Sequence, residues 1–78
     1  MREKSLKCIV TFHTTTEAMA FEGFCLRENI PGRLIPVPGE ISAGCGLSWC
    51  AEDKYANMIE AMIKNRKIEY DKICRILH

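Results

Sequence analysis

Between Leu6 and Leu77 the chain switches hydrophobic period four times, and those switches leave few folds open to it. Leu6 to Phe12 (LKCIVTF) is rich in β-branched and aromatic residues and predicts a strand. Thr14-Thr15-Thr16-Glu17 fits a capping box, a cap hydroxyl with a carboxylate three residues on. It predicts a helix to about Asn29, with Ala18, Phe21 and Cys25 along one face and Ala20 and Phe24 alongside. Pro31-Gly32 ends it. Arg33 to Val37 predicts a short second strand, and Pro36, which has no N–H to donate, assigns that strand to a sheet edge. Pro38 to Gly46 is a loop. Leu47 to Ala51 alternates Leu47, Trp49 and Ala51 with Ser48 and Cys50, the pattern of a third strand. Glu52-Asp53 opens a second helix with Tyr55, Ile59, Met62 and Ile63 at helical spacing, and Asp71 to Leu77 is a fourth strand. Acidic residues at the start of the second helix, and Lys64, Arg66 and Lys67 near its end, suit the helix dipole.

The order β-α-β-β-α-β is that of the α+β ferredoxin-like, split-βαβ fold. Right-handed crossovers then give a four-stranded antiparallel sheet in the order 4-1-3-2 with both helices on one face. The 78 residues hold no repeat, linker or low-complexity tract, so residues 1–78 form a single domain. A chain this short builds a small core, and a homodimer would add to it.

Composition narrows the function classes. A composition that is 47% hydrophobic and 27% charged is that of a globular protein. The net charge of +1 comes from scattered residues, with only a mild basic cluster at Lys64, Arg66 and Lys67, so no nucleic-acid partner is expected. Met1 to Lys7 is charged and the apolar run behind it is too short for a signal peptide or a membrane span. Five cysteines cannot all pair within the chain, and a cytoplasmic protein with reduced thiols is the simplest reading. There is no Cys-x-x-Cys pair, and His13 and His78 lie near opposite ends, so neither a metal site nor a cofactor is expected.

Candidate chemistry centres on Cys45, which stands between Gly44 and Gly46. Glycine on both sides lets the backbone turn sharply and leaves the thiol approachable. The predicted topology brings the end of strand one and the loop before strand three to the same end of the sheet. His13, Thr14, Thr15, the first helix N-terminus and Cys45 are therefore expected near one another. A helix N-terminus or an imidazolium favours thiolate, the reactive form, so His13 is a candidate proton acceptor for Cys45. Cys50 is a candidate resolving thiol for an oxidised Cys45, or a small buried residue. Cys8, Cys25 and Cys74 read as packing residues, with Cys8 and Cys74 as cross-strand neighbours if they share a sheet face. The candidate binding loop comprises Arg33, Pro36, Pro38, Glu40, Ser42, Gly44 and Gly46. Arg33 and Glu40 either bridge its two sides or stay solvated, and Arg33 is also a candidate for binding an anion such as selenite, sulfite or a carboxylate.

Three segments carry a resemblance to a known family. They are Val10-Thr11-Phe12-His13-Thr14-Thr15-Thr16-Glu17-Ala18, then Gly32-Arg33-Leu34-Ile35-Pro36-Val37-Pro38, then Glu40-Ile41-Ser42-Ala43-Gly44-Cys45-Gly46-Leu47. In these the chain resembles the selenium/sulfur-carrier-like family, small domains of unknown function found in many anaerobic bacteria. The resemblance implies that Cys45 bears the chalcogen, and that the partners are a donor protein of the cysteine desulfurase type and an acceptor. It implies a carrier rather than an enzyme with turnover of its own. Members of the family usually have Arg where this chain has Gly39, and many have Arg at the position of Cys50, so a two-thiol mechanism would belong to this chain alone. Two other readings stand beside it: an interaction or regulatory module in which the thiol is incidental, and a redox protein cycling a Cys45–Cys50 disulfide. A metal site assembled from the thiols of two chains ranks last.

Overall fold

The computed structural model describes residues 4–41 and 45–78. Its elements are β1 (Leu6–Thr11), α1 (Thr15–Glu28), β2 (Arg33–Pro36), β3 (Leu47–Glu52), a 3-10 turn (Asp53–Tyr55), α2 (Ala56–Arg66) and β4 (Lys72–Leu77). The strands form one antiparallel sheet in the order β2-β3-β1-β4. This is the ferredoxin-like arrangement expected from the element order, with the proline-bearing β2 at an edge.

Strand register decides which side chains meet the helices. Directly paired residues share a face, so Val10↔Trp49, Leu34↔Trp49 and Cys8↔Ala51 define the covered side. There Cys8, Val10, Phe12, Trp49 and Ala51 pack with Ala18, Phe21 and Cys25 of α1 and with Ala56, Ile59, Met62 and Ile63 of α2. Phe12, Phe21 and Trp49 stack in tilted contacts at 5.2 and 5.9 Å between ring centroids. Trp49 therefore belongs to the helix-side core. The opposite face carries Ile9, Thr11, Ser48, Cys50 and Cys74, the first four of them buried.

Cys8 and Cys74 are not cross-strand neighbours. Cys8 pairs with Arg75 and Cys74 with Ile9, so the two thiols point to opposite faces, separated by the one-residue offset of the register. The start of the second helix also differs from expectation. Glu52 still pairs with Lys7, which keeps it in β3, and the 3-10 turn intervenes before α2. Tyr55 accordingly sits half-buried in that turn, and Ala56 takes the core position. On α1, Ala20 is exposed and Phe24 half-buried.

The first helix is capped as its sequence implies. Thr14 accepts a hydrogen bond from the Glu17 amide at 3.1 Å. At the other end Asn29 adopts a left-handed conformation (φ 58°), and Ile30 N–H bonds back to the Cys25 carbonyl at 2.9 Å, a stop made before Pro31 is reached. Gly32 is required by packing: a Cβ there would lie 2.7 Å from three atoms of the Trp49 indole.

Candidate functional site

The antiparallel register gathers one set of residues at one end of the sheet. Thr11 pairs with Ser48 and with Lys72, and Pro36 pairs with Leu47. The end of β1, the start of β4, the end of β2 and the start of β3 therefore meet, and His13, Pro36, Pro38, Cys45 and Gly46 belong to that end. Val37 N–H donates to the Gly46 carbonyl at 3.0 Å, which extends the β2–β3 ladder one step past the strands and frames the loop. Within the loop the Ile41 amide bonds to the Pro38 carbonyl at 3.0 Å, and Glu40 is exposed. Gly46 has φ +83°, and a Cβ there would meet nothing within 4 Å, so the backbone conformation, not crowding, demands glycine. Ser42 and Gly44 lie outside the described residues.

Cys45 is half-buried and packs against the edge of the helix-side core. Its Sγ donates to the Leu47 carbonyl at 3.5 Å. The imidazole of His13 is engaged elsewhere. Its Nδ1 lies 3.2 Å from Glu17 Oε1 and its Nε2 lies 3.6 Å from Asp71 Oδ1. Glu17 also accepts from the His13 amide at 2.9 Å. The network continues inward: Thr11 Oγ1 donates to Asp71 Oδ2 at 3.4 Å and accepts from the Lys72 amide at 3.0 Å. Among the described residues no hydrogen bond joins His13 to Cys45. Topology brings the two to the same end of the sheet, and local carboxylates turn the ring toward the α1–β4 side. Glu17 is legible in the sequence as a cap; its grip on His13, completed by Asp71 from the far end of the chain, is not.

The other candidate residues lie further down the sheet. Cys50 is 6% exposed, on the face away from the helices, and pairs with Arg33 and Ile9. From Gly46 to Cys50 the ladder spans about 13 Å and Cys45 is one residue of about 3.8 Å beyond, whereas a disulfide needs Cα atoms within about 7 Å. The structure does not bring those two thiols together. Arg33 begins β2 at the end opposite the loop, where it lines a groove with Lys7, Cys50, Glu52 and Tyr55. Lys7 forms an ion pair with Glu52 at 2.9 Å there, and that hydrogen-bonded lysine holds the Glu52 carboxyl below its usual range. None of the ion pairs among the described residues joins Arg33 to Glu40.

Burial separates the five thiols. It pushes Cys8 up to about 11 and Cys25 up to about 12, and it raises Cys50 as well. Each of these would have to ionise inside or beneath packed apolar groups. Cys45 and Cys74 are half-exposed. No group of three His, Cys, Asp or Glu side chains among the described residues could hold a metal ion. No described helix is long and apolar enough to cross a membrane.

The chain belongs to the family described as "Putative Se/S carrier protein-like", whose pattern it matches over residues 7–75, nearly its full length. No curated protein and no solved structure matches it.

Proposed function

We propose that this protein carries sulfur or selenium on Cys45, as a persulfide or its selenium analogue, between a donor and an acceptor protein. The observation that carries the reading is the position of this thiol. Cys45 lies within the family match and is half-exposed beside a glycine-shaped turn, while Cys8, Cys25 and Cys50 are closed off by burial.

The transfer balances without an added oxidant. The Cys45 thiol gives up its proton to solvent, together with its contact to the Leu47 carbonyl. The sulfur then attacks the outer sulfur of a donor persulfide. That forms a new S–S bond, breaks the donor's, and releases the donor cysteine as a thiolate. Handing on repeats the exchange in reverse with the acceptor. His13 acts in this scheme as a positioning residue: through Glu17 and Asp71 it ties α1 and β4 to the end of the sheet that bears the loop. The five free thiols suit a reducing compartment such as the cytoplasm.

The test is to incubate the reduced protein with a cysteine desulfurase and cysteine, then map sulfur adducts by peptide mass spectrometry. The expected result is one sulfur on Cys45, absent from Cys45→Ser. Adducts spread over all exposed thiols, or none, would remove the basis for carriage and favour a docking module with an incidental thiol.

A further inference from the structure

We propose that the groove at the start of β2 binds a small organic monoanion, its carboxylate held by Arg33 and its stem laid against Pro31 and Tyr55. The strand register makes the groove. β3 runs on to Glu52, two residues past the pairing of Cys50 with Arg33, while the chain before Arg33 is the connection from α1. The notch beside the overhanging end of β3 holds about 510 Å³, room for a molecule of small-metabolite size. It lies at the end of the sheet opposite Cys45, so the proposal stands apart from carriage.

Cations from two strands converge over the floor of this notch. Arg33 on β2 is the direct partner of Cys50, and Lys7 on β1 pairs with Glu52 on the same face. Both charges act on the Cys50 thiol and oppose the burial that raises it, which sets both of them close to one point of β3.

Charge selects the class of ligand. The grooves beside the helices cancel their own charge: Glu60 against Lys64, Glu28 ion-paired with Arg66, and Glu17 and Glu69 against Arg66 and Lys67. The groove at Arg33 sets two cations, Lys7 and Arg33, against the single carboxylate of Glu52. Lys54 brings a further cation to 5.3 Å from the Tyr55 ring. Lys7 is occupied by Glu52 at 2.9 Å. Arg33 is exposed and has no carboxylate partner among the described residues. One unpaired guanidinium calls for one negative charge, and its planar fork matches a carboxylate through two parallel hydrogen bonds. Glu52 across the groove disfavours a dianion such as phosphate.

Titration of the reduced, isotope-labelled full chain with butyrate at constant ionic strength, followed by amide NMR shifts, tests the proposal. The expected result is saturable movement of the Gly32, Arg33, Cys50 and Glu52 amides in the millimolar range, with Gly46 unmoved. Butyramide, the neutral isostere, and inorganic phosphate should each bind at least about tenfold more weakly than butyrate. Arg33→Gln should weaken butyrate binding about tenfold, and Arg33→Lys, which keeps the charge without the fork, should recover part of the loss. Glu52→Gln frees Lys7 and should tighten binding about threefold. A titration without saturable shifts overturns the proposal. So does equal affinity in Arg33→Gln, equal affinity for butyramide, tighter binding of phosphate, or shifts that follow Lys64, Arg66 and Lys67 instead of the groove.

Discussion

Raising the pH should unfold this protein through its buried thiols, and the size of the effect follows from their surroundings. In an unfolded chain Cys8 and Cys25 titrate near 9.0; burial pushes them to about 11 and about 12 in the native state. Below pH 9 both thiols are protonated whether the chain is folded or not, and neither affects stability with pH. Above pH 9 the unfolded chain releases protons that the native chain keeps, so stability falls until the pH passes the native values. At pH 10 the two thiols together cost about 3 kcal/mol, a large share of what holds a small domain together. Cys50, shifted in the same direction, adds to it. Urea unfolding followed by circular dichroism in reductant, at intervals from pH 7.5 to 10, measures this. With a slope of about 1 kcal/mol/M, the wild-type midpoint should drop by roughly 3 M. Cys25→Ala starts less stable, but its midpoint should fall with pH by about half as much, and Cys8→Ala should behave alike. If both variants lose stability with pH in parallel with the wild type, the buried thiols are not the cause of the alkaline transition.

Four further outcomes can be checked with ordinary means. Gly32→Ala would drive a methyl group into the indole of the sole tryptophan, costing about 1–3 kcal/mol and shifting Trp49 fluorescence; an unchanged spectrum and midpoint would contradict the packing. Thr14→Ala removes the α1 cap and should cost about 1 kcal/mol, lowering Tm by about 4–8 °C. In native protein, iodoacetamide should modify Cys45 and Cys74 well before Cys8, Cys25 or Cys50, and urea should abolish the difference. Gly46→Ala strains a left-handed turn, and should cost about 1 kcal/mol while changing the alkylation rate of Cys45 more than that of Cys74.

The element order is legible because each element announces itself locally. The Thr14–Glu17 cap, the Ala18, Phe21 and Cys25 face, and the missing donor of Pro36 are short-range signals, and the sheet order follows from handedness. What short-range patterning leaves open is register. Strand one carries apolar or β-branched residues on both sides, Cys8 and Val10 on one and Ile9 and Thr11 on the other, so nothing within it says that Cys8 turns inward while Ile9 turns outward; the pairing with Ala51 and Arg75 decides it. The same limit separates Cys8 from Cys74. At the site, topology correctly groups His13 with the Cys45 loop at one end of the sheet. The direction of the imidazole depends on Asp71, a contact that closes only when β4 docks beside β1. Nearness in sequence groups Arg33 with the loop, but an extended strand carries it about 10 Å from Pro36.

Carriage itself is tested most directly by whether the bound atom survives separation from its donor. The chain is loaded with labelled sulfur by a cysteine desulfurase, isolated by gel filtration, and treated with excess dithiol, which supplies two electrons and releases the outer sulfur as sulfide. Close to one labelled sulfide per chain is expected from wild type and from Cys74→Ser, and none from Cys45→Ser. Label that stays with the desulfurase, or that is released equally from Cys45→Ser, would contradict carriage on Cys45.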